Sequence, residues 1–191
     1  RDGDAVRDGT EAGLSGWTVF LDGDGDGLLD DGERSTATDA GGMYLFEGLA
    51  PGDYAVASTA TEGWRLTAPA GGAHHVSVTD GLADSGSNFG LQNLAPVAEN
   101  DAFALDEDET LNVSAPGVLA NDIDTDLLTV SLLVGARDGA VTLAADGWFS
   151  YVPHRDFNGI DSFTYRVTDP YQGHRDATVS LAIAAANDAP T

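Results

Sequence analysis

The segment WTVFLDGDGDGLLDDGERST, residues 17–36, sets an acidic, glycine-rich run between two short stretches that alternate in the manner of β-strands. Side chains of a strand point alternately to the two faces of a sheet, whereas a helix repeats about every 3.6 residues. Neither flank, residues 17–21 or residues 35–38, shows the helical period. The acidic run is therefore predicted to connect two strands rather than two helices.

The acidic run has the residue spacing of a calcium-binding loop. A hard divalent cation takes oxygen ligands from short carboxylates at alternating positions, and the loop needs a glycine turn and a longer carboxylate that closes it. A solvated acidic loop, the plainer interpretation, predicts neither Gly27 at the turn nor a glutamate at the last position. The sequence predicts a Ca²⁺ site whose ligands are the side chains of Asp22, Asp24, Asp26, Asp30 and Glu33 and the backbone carbonyl of Leu28.

The same alternation extends through the whole chain, and glycine or Asp-Gly interrupts it at short intervals. Asp146-Gly147 between two apolar runs predicts a tight β-hairpin. The predicted strands are residues 17–21, 35–38, 43–46, 53–58, 64–67, 75–79 and 88–92, then 101–105, 110–113, 127–134, 140–143, 148–152, 162–167 and 177–182. We expect an all-β chain of two tandem β-sandwich modules.

An Asn-x-Ala-Pro element marks the predicted boundary between the modules. It occurs at residues 93–96 and again at residues 187–190. Proline fixes the backbone and stops a strand from continuing into the next domain. The predicted domains are residues 1–93 and 94–191, and we expect both to be part of a longer protein with several modules.

The chain is strongly acidic, with 8 basic and 32 acidic residues, a formal charge of −24 and no lysine. Its electrostatic field repels nucleic acid and anionic lipid, so neither nucleic acid nor a membrane surface is an expected partner. Bound divalent cations would relieve the repulsion among the carboxylates, although acidity also serves solubility alone. The absence of cysteine excludes disulfides and thiolate zinc sites.

The first half resembles the SdrD B-like repeats of serine-aspartate-repeat surface proteins and the related Cna B-like modules. The resemblance rests on residues 13–21 (GLSGWTVFL), the acidic loop, residues 38–46 (TDAGGMYLF) and residues 49–56 (LAPGDYAV). It implies a prealbumin-like sandwich that holds Ca²⁺ in a stalk, and a chain without lysine cannot form the Lys–Asn isopeptide bond of some relatives. It also implies a second, truncated calcium loop at Asp2, Asp4, Asp8 and Glu11, whose first ligand would precede Arg1.

The second half resembles the VCBS-type cadherin-like repeats of large bacterial exoproteins. The matching residues are 96–98 (PVA), 106–108 (DED), 117–124 (GVLANDID), 158–165 (NGIDSFTY), Asp169 and 187–190 (NDAP). The resemblance implies an immunoglobulin-like sandwich with Ca²⁺ at the junctions between modules. The ligands implied by this resemblance are Glu107, Asp122, Asp124, Asp126 and Asp188, while Leu127 stands where relatives often have glycine.

Other polar and aromatic residues have plainer interpretations. Residues 121–126 also fit a polar turn, and residues 106–109 fit a solvated loop equally well. The adjacent His74 and His75 should point to opposite faces of a strand and share no metal ion. Trp17, Trp64 and Trp148 are predicted to fill the sandwich cores, with a sugar-stacking platform as the alternative. No nucleophile elbow or zinc-protease helix is present, so no enzyme activity is expected.

The favoured function is a calcium-stabilised stalk, spacer or fibre subunit of an extracellular or cell-surface adhesin-like protein. Its partners would be the neighbouring modules of the same chain or fibre. Two alternatives remain open at this point. One is an adhesion module that recognises a surface glycan or protein, and the other is an accessory module of a secreted hydrolase.

Overall fold

The computed structural model describes residues 12–80 and 86–187. It confirms the predicted all-β class, because β-strands and one short 3₁₀ turn are the regular elements of the described residues. The chain divides into two compact units, Arg1–Asn93 and Leu94–Thr191, called unit 1 and unit 2 below. No helix in the described ranges is long and apolar enough to cross a membrane.

The described residues of unit 1, 12–80 and 86–93, form six strands in two antiparallel sheets. They are β1 (Thr18–Asp22), β2 (Ser35–Ala37), β3 (Gly52–Ser58), β4 (Trp64–Ala68), β5 (Ala73–Val78) and β6 (Gly90–Asn93). One sheet has the order β2-β1-β3-β5, and the other pairs β4 with β6. The central strand β1 supplies the most deeply buried side chains, Val19 and Phe20, which are 1% and 0% exposed. The acidic loop therefore begins at a rigid, buried strand.

Unit 2, as far as residue 187, forms seven strands in two facing sheets. They are β7 (Asp101–Asp106), β8 (Leu111–Val113), β9 (Thr129–Val134), β10 (Gly139–Leu143), β11 (Phe149–Pro153), β12 (Gly159–Thr168) and β13 (His174–Ala184), with a 3₁₀ turn at Gly117–Leu119. One sheet has the order β10-β11-β8 and the other β7-β13-β12-β9. This arrangement is an immunoglobulin-like sandwich of the predicted kind.

The core of unit 2 is built from alternate residues of the facing strands. Phe149 and Tyr151 from β11 meet Phe163 and Tyr165 from β12, and all four are at most 1% exposed. The rings of Phe149 and Phe163 pack edge to face with centroids 5.4 Å apart. Burial of large aromatic side chains in this geometry is a main source of stability in a small sandwich.

One carboxylate lies inside this core region. Asp161, 5% exposed, accepts hydrogen bonds from the backbone N–H groups of Arg137 (3.1 Å), Asp138 (2.9 Å) and Ser162 (2.8 Å) and from the Tyr151 hydroxyl (2.8 Å). Burial alone would raise the pKa of Asp161, but the four hydrogen bonds stabilise its charged form and lower the pKa overall. The same burial and the same partner raise the pKa of Tyr151.

Thirteen of the fourteen predicted strands occur, and the Asp146-Gly147 hairpin is confirmed by the pairing of Leu143 with Phe149. The prediction of a strand at residues 43–46 is wrong. The Asp39 side chain and carbonyl hold this segment in a turn by bonding the N–H groups of Gly41, Met43 and Gly42. Met43 remains 68% exposed, so no buried face enforces a strand there.

Candidate metal centre

The acidic loop of unit 1 connects β1 to β2 and is closed at its base by a sheet hydrogen bond. The Leu21 N–H donates to the Arg34 carbonyl at 2.8 Å. Asp22, the last residue of β1, is only 7% exposed and pairs with Ala55 of β3. The first predicted ligand is therefore fixed by the sheet, and the rest of the loop extends from it.

Carboxylate-to-backbone hydrogen bonds fold the loop into a compact turn. The two oxygens of Asp22 accept the N–H groups of Gly25 (2.7 Å) and Gly27 (3.1 Å), and the Asp26 Oδ1 accepts the Leu28 N–H (2.7 Å). Gly25 and Gly27 have φ values of 79° and 78°, in the left-handed region that glycine adopts without strain. The glycines thus allow the chain to wrap around its own carboxylates.

Glu33 ties the end of the loop to its beginning. Its Oε1 accepts the Gly23 N–H at 2.6 Å, and its Oε2 accepts the Asp30 N–H at 3.1 Å. An ionised carboxylate has about four acceptor positions, so each oxygen keeps capacity for a further partner. Glu33 thus lies at the end of the loop, where the sequence spacing predicts the closing ligand.

The structure brings together the five carboxylates that the sequence singled out in this loop. Carboxylate oxygens of Asp22, Asp24 and Glu33 lie within 4.8 Å of one another, and so do those of Asp24, Asp26 and Asp30. Asp24 belongs to both groups and links them. Leu28, the predicted carbonyl ligand, lies in the same turn with its side chain 65% exposed. Carboxylates and carbonyls in a glycine-rich turn are the ligand chemistry that Ca²⁺ requires, so the loop could hold this ion.

The electrostatics of the loop favour a bound cation. The pKa of Asp30 is raised by the charge of Asp26, then by burial, and then by Asp24, Glu33 and Asp22. Arg34, next to the loop in sequence, donates through Nη2 to the Glu47 carbonyl at 2.8 Å rather than to a loop carboxylate. Repulsion of this kind is reduced by protonation or by a cation among the carboxylates.

In unit 2, three predicted ligands, Asp122, Asp124 and Asp126, lie in the loop that follows the 3₁₀ turn. The Asp122 Oδ1 accepts the Glu99 N–H at 2.8 Å, and the Asp124 Oδ1 accepts the Asp126 N–H at 3.0 Å. The Oδ2 atoms of Asp122 and Asp124 are buried and have no hydrogen-bond partner. A buried carboxylate oxygen without a partner is costly, which indicates a missing cation or proton.

Asp169 lies near Asp124 and Asp126 of this loop, although the sequence analysis had not placed it among the ligands. It follows β12, is 3% exposed, and its Oδ1 accepts the N–H groups of Tyr171 (2.7 Å) and Gly173 (2.9 Å). Its Oδ2 is buried without a partner. Burial raises the pKa of Asp169, and the charges of Asp124 and Asp126 raise it further against the lowering effect of the two hydrogen bonds.

The unit 2 cluster is looser than the loop of unit 1. Among the described residues, the groups of three carboxylates within 4.8 Å occur in unit 1 alone. Gly173 lies against the cluster, since a Cβ atom there would be 2.2 Å from the Asp169 Oδ2 and 3.0 Å from the Ala95 Cα. The sequence analysis did not single out Gly173, although a glycine four residues after Asp169 is the signal that could have indicated a crowded turn there.

Glu107 lies at the other end of unit 2. It directly follows β7, whereas Glu99 precedes that strand and holds Asp122 near its start through their 2.8 Å hydrogen bond. Six residues of strand span about 20 Å. Its Oε1 accepts the Ala186 N–H at 2.7 Å and its Oε2 accepts the Asn158 amide at 3.0 Å. Within unit 2, Glu107 therefore does not meet the aspartate cluster, and its role as a Ca²⁺ ligand stays a prediction.

Five predicted ligands lie outside the described residues, and their roles also stay predictions: Asp2, Asp4, Asp8, Glu11 and Asp188. The tryptophans are half-buried rather than central to a core, and Trp17 packs edge to face on Trp64 at 5.3 Å. The His74 Nε2 lies 2.7 Å from the Asn88 carbonyl, while His75 is exposed. Among the described residues, these tryptophans and histidines therefore form no further candidate binding cluster beside the acidic ones.

Comparison with known proteins identifies both halves of the chain. Residues 1–103 match the family model of the SdrD B-like domain, and residues 93–182 match that of a bacterial Ig domain. The two resemblances read from the sequence, a B-like repeat followed by an immunoglobulin-like repeat, are confirmed at this level. Such modules are typical of bacterial surface and secreted proteins and are non-catalytic. No match was found among curated proteins.

Solved structures show a weak likeness over most of the chain. The endo-fucoidan hydrolase MfFcnA4 of glycoside hydrolase family 107 is 14% identical, with a TM-score of 0.39, over 92% of this chain and 23% of that one. The endo-fucoidan hydrolase MfFcnA9 of the same family is also 14% identical, with a TM-score of 0.32, over 90% of this chain and 27% of that one. The chain thus spans about a quarter of these proteins, and the scores are too low to indicate a shared activity. The chain belongs to the SdrD B-like domain family through its first 103 residues, which are followed by a bacterial Ig domain.

Proposed function

We propose that this chain is a calcium-stabilised pair of structural modules, acting as a stalk, spacer or fibre subunit of an extracellular adhesin-like bacterial protein. The observation that supports this most is the β1–β2 loop, in which five carboxylates form two groups of three that share Asp24, with the oxygen atoms of each group within 4.8 Å of one another. The family membership supports the location, because SdrD B-like and bacterial Ig domains are typical of surface and secreted proteins.

Calcium is the ion that best fits the loop. The predicted ligand set consists of carboxylate oxygens from Asp22, Asp24, Asp26, Asp30 and Glu33 and the Leu28 backbone carbonyl, in a glycine-rich turn. Ca²⁺ accepts six to eight such ligands at variable angles, whereas Mg²⁺ demands a near-ideal octahedron and keeps several waters. Each bound ion would offset the repulsion that raises the pKa of Asp30.

The position of the loop favours a structural role over a signalling one. Both ends of the loop are fixed, through the Leu21–Arg34 hydrogen bond and through Glu33, which bonds the Gly23 N–H. A sensor needs helices that change their angle when the ion binds, and the loop here joins two paired strands. Binding would therefore rigidify unit 1 rather than expose a new surface.

A second ion would stabilise unit 2 at Asp122, Asp124 and Asp169. Each of the three has one buried carboxylate oxygen without a hydrogen-bond partner. Burial raises the pKa of Asp122 as well as that of Asp169, so both charged forms are disfavoured until a cation or proton arrives. The site would need a small inward movement of the side chains, since it is more open than the loop of unit 1.

The test is the thermal stability of the full chain in Ca²⁺ and in chelator. A ligand that binds only the folded state adds about 2.7 kcal/mol per site at 100 times its dissociation constant. The variant Glu33→Gln should lose the Ca²⁺-dependent rise in the melting temperature of unit 1. The matched control Asp31→Asn removes the same charge from an exposed loop residue outside the ligand set. This variant should keep the Ca²⁺-dependent rise in melting temperature.

Calorimetry of the two variants is the measurement, and equal behaviour of the two would refute the ligand assignment. A wild-type chain whose transitions do not move with Ca²⁺ would refute the calcium-stabilised function itself. The adhesion alternative would then be favoured if a glycan or protein array captured the chain equally well in chelator.

A further inference from the structure

The first and last strands of unit 2 lie side by side and run in the same direction. β7 pairs with β13 in parallel through six residue pairs, from Asp101 opposite Val179 to Asp106 opposite Ala184. All other strand pairs in the described residues are antiparallel. The polypeptide thus enters the sandwich through β7 and leaves it through the neighbouring strand β13.

Glu107 extends this ladder beyond its last residue pair. Its N–H donates to the Ala184 carbonyl at 2.9 Å, and its Oε1 accepts the Ala186 N–H at 2.7 Å. The side chain is only 6% exposed, and the Asn158 amide holds its second oxygen at 3.0 Å. A charged acceptor that is buried and oriented makes hydrogen bonds stronger than those of neutral groups. The segment that follows β13 is therefore hydrogen-bonded to the residue that follows β7.

The other end of the ladder is extended in the same way. The Asn100 Oδ1 accepts the Thr178 N–H at 2.8 Å, one residue before the paired region. Upstream, Val97 and Ile123 exchange two hydrogen bonds of 2.9 Å each in an isolated bridge. Side-chain contacts thus continue the attachment of β7 at both of its ends.

This arrangement determines how unit 2 responds to tension. Pulling on the two ends of the unit moves β7 and β13 in opposite directions along their axes, because the strands are parallel neighbours. All the ladder hydrogen bonds and the two side-chain extensions then carry load together. A strand pulled sideways from a sheet edge loses its hydrogen bonds one at a time, and each is worth only about 1 kcal/mol. Shear along the ladder therefore requires a larger force than peeling.

We propose that the β7–β13 ladder, with Asn100 and Glu107 at its ends, is a force-bearing junction through which unit 2 carries tension along the chain without a metal ion. This role deepens the spacer function and rests on it for its biological meaning. The mechanical property itself is measured in chelator, so it can fail or succeed independently of the calcium sites.

The absence of cysteine makes the direction of pulling easy to control. In the full chain, Leu94→Cys with Asn187→Cys applies force to the two ends of unit 2, at residues that are both exposed. Gly135→Cys with Asn187→Cys instead pulls the edge strand β9 away from β12, and a Cβ at Gly135 meets no atom within 4 Å. Single-molecule force spectroscopy in chelator should give a severalfold higher unfolding force in the first geometry. Equal or lower force in the first geometry would overturn the proposal.

Variants at the ends of the ladder test the residues. Glu107→Ala and Asn100→Ala should lower the unfolding force in the end-to-end geometry and leave the peeling force unchanged. Glu107→Gln keeps an acceptor for the Ala186 N–H, so it should retain most of the end-to-end unfolding force. Val141→Ala, in the opposite sheet against the core, controls for general destabilisation. It should lower the melting temperature without lowering the end-to-end force. An equal loss of force in Val141→Ala and Asn100→Ala would refute the junction, even if Glu107→Ala fails to fold.

Discussion

Replacing the buried Asp161 with asparagine should destabilise unit 2 strongly at neutral pH. The carboxylate accepts four hydrogen bonds, two on each oxygen, from three backbone N–H groups and the Tyr151 hydroxyl. An asparagine has one acceptor oxygen, and its amide group would face the donors that the second oxygen now accepts. The Tyr151 hydroxyl can rotate to accept from this amide, but the Asp138 N–H cannot.

The expected cost is the loss of at least one hydrogen bond to a charged acceptor, the weakening of two more, and one buried donor left without a partner. Hydrogen bonds to charged groups contribute about 1.5–3 kcal/mol each, and an unpaired buried donor costs a similar amount. The free energy of unfolding of unit 2 should therefore fall by about 3–5 kcal/mol. A small domain has only about 5–15 kcal/mol in total.

The pH dependence of stability gives a second, independent signature of Asp161. Its pKa in the folded state is lowered, so the folded state binds fewer protons than the unfolded state in acid. The stabilisation is complete above the ordinary aspartate pKa of about 3.9 and is lost as the pH falls through the lower folded value. The Asp161→Asn variant should lack this part of the acid denaturation curve.

The assay is urea unfolding followed by hydrogen exchange of peptides from β11 and β12, which reports unit 2 separately from unit 1. Asp176→Asn is the matched control, because it removes the same charge from an exposed carboxylate whose partner is Arg166 at 2.7 Å. Its effect on stability should be small, since exposed ion pairs contribute little. A loss below 1 kcal/mol in Asp161→Asn, or an unchanged acid limb, would show that the four-bond account of this residue is wrong.

Three further predictions concern the aspartate cluster and the core of unit 2. Gly173→Ala should destabilise unit 2 by about 1–3 kcal/mol in thermal unfolding, because the new Cβ would collide with the Asp169 Oδ2 at 2.2 Å. Asp169→Asn should stabilise unit 2 in chelator by removing like-charge repulsion, and should abolish any Ca²⁺-dependent gain in calorimetry. Tyr165→Phe should cost about 1–2 kcal/mol in urea unfolding, because the hydroxyl contacts the Asp101 carboxylate at 2.9 Å and the Val118 carbonyl at 3.0 Å; no loss would contradict this.

Local patterns in the sequence predicted most of the fold. Strands are the elements for which period-two alternation is informative, and Gly147, with φ of 88°, lies in the hairpin turn that Asp-Gly indicates. The failure at residues 43–46 has a physical cause. Alternation there satisfies the pattern, but the Asp39 carboxylate bonds the backbone and leaves Met43 in solvent.

The candidate sites were predictable to the extent that their residues are close in sequence. The five carboxylates of the β1–β2 loop lie within twelve residues, so their spacing alone indicates that they converge. Asp169 could not be found in this way, because more than forty residues and four intervening strands separate it from Asp124. The contact between Glu107 and the Ala186 N–H joins residues 79 positions apart, so local spacing could not reveal it either, and the role of Glu107 as a Ca²⁺ ligand stays a prediction.

The hydrogen bonds of the β1–β2 loop have a consequence for the kinetics of ion binding. Backbone N–H groups already hold Asp22, Asp26 and Glu33 in their folded positions before an ion is considered. Such a preorganised cage needs little ordering of the chain on binding, so less of the interaction free energy is lost to entropy. Association should then be limited by the removal of water from the ion, and dissociation by the breaking of several ligand bonds at once. The lifetime of the bound state, rather than the speed of capture, would set the affinity.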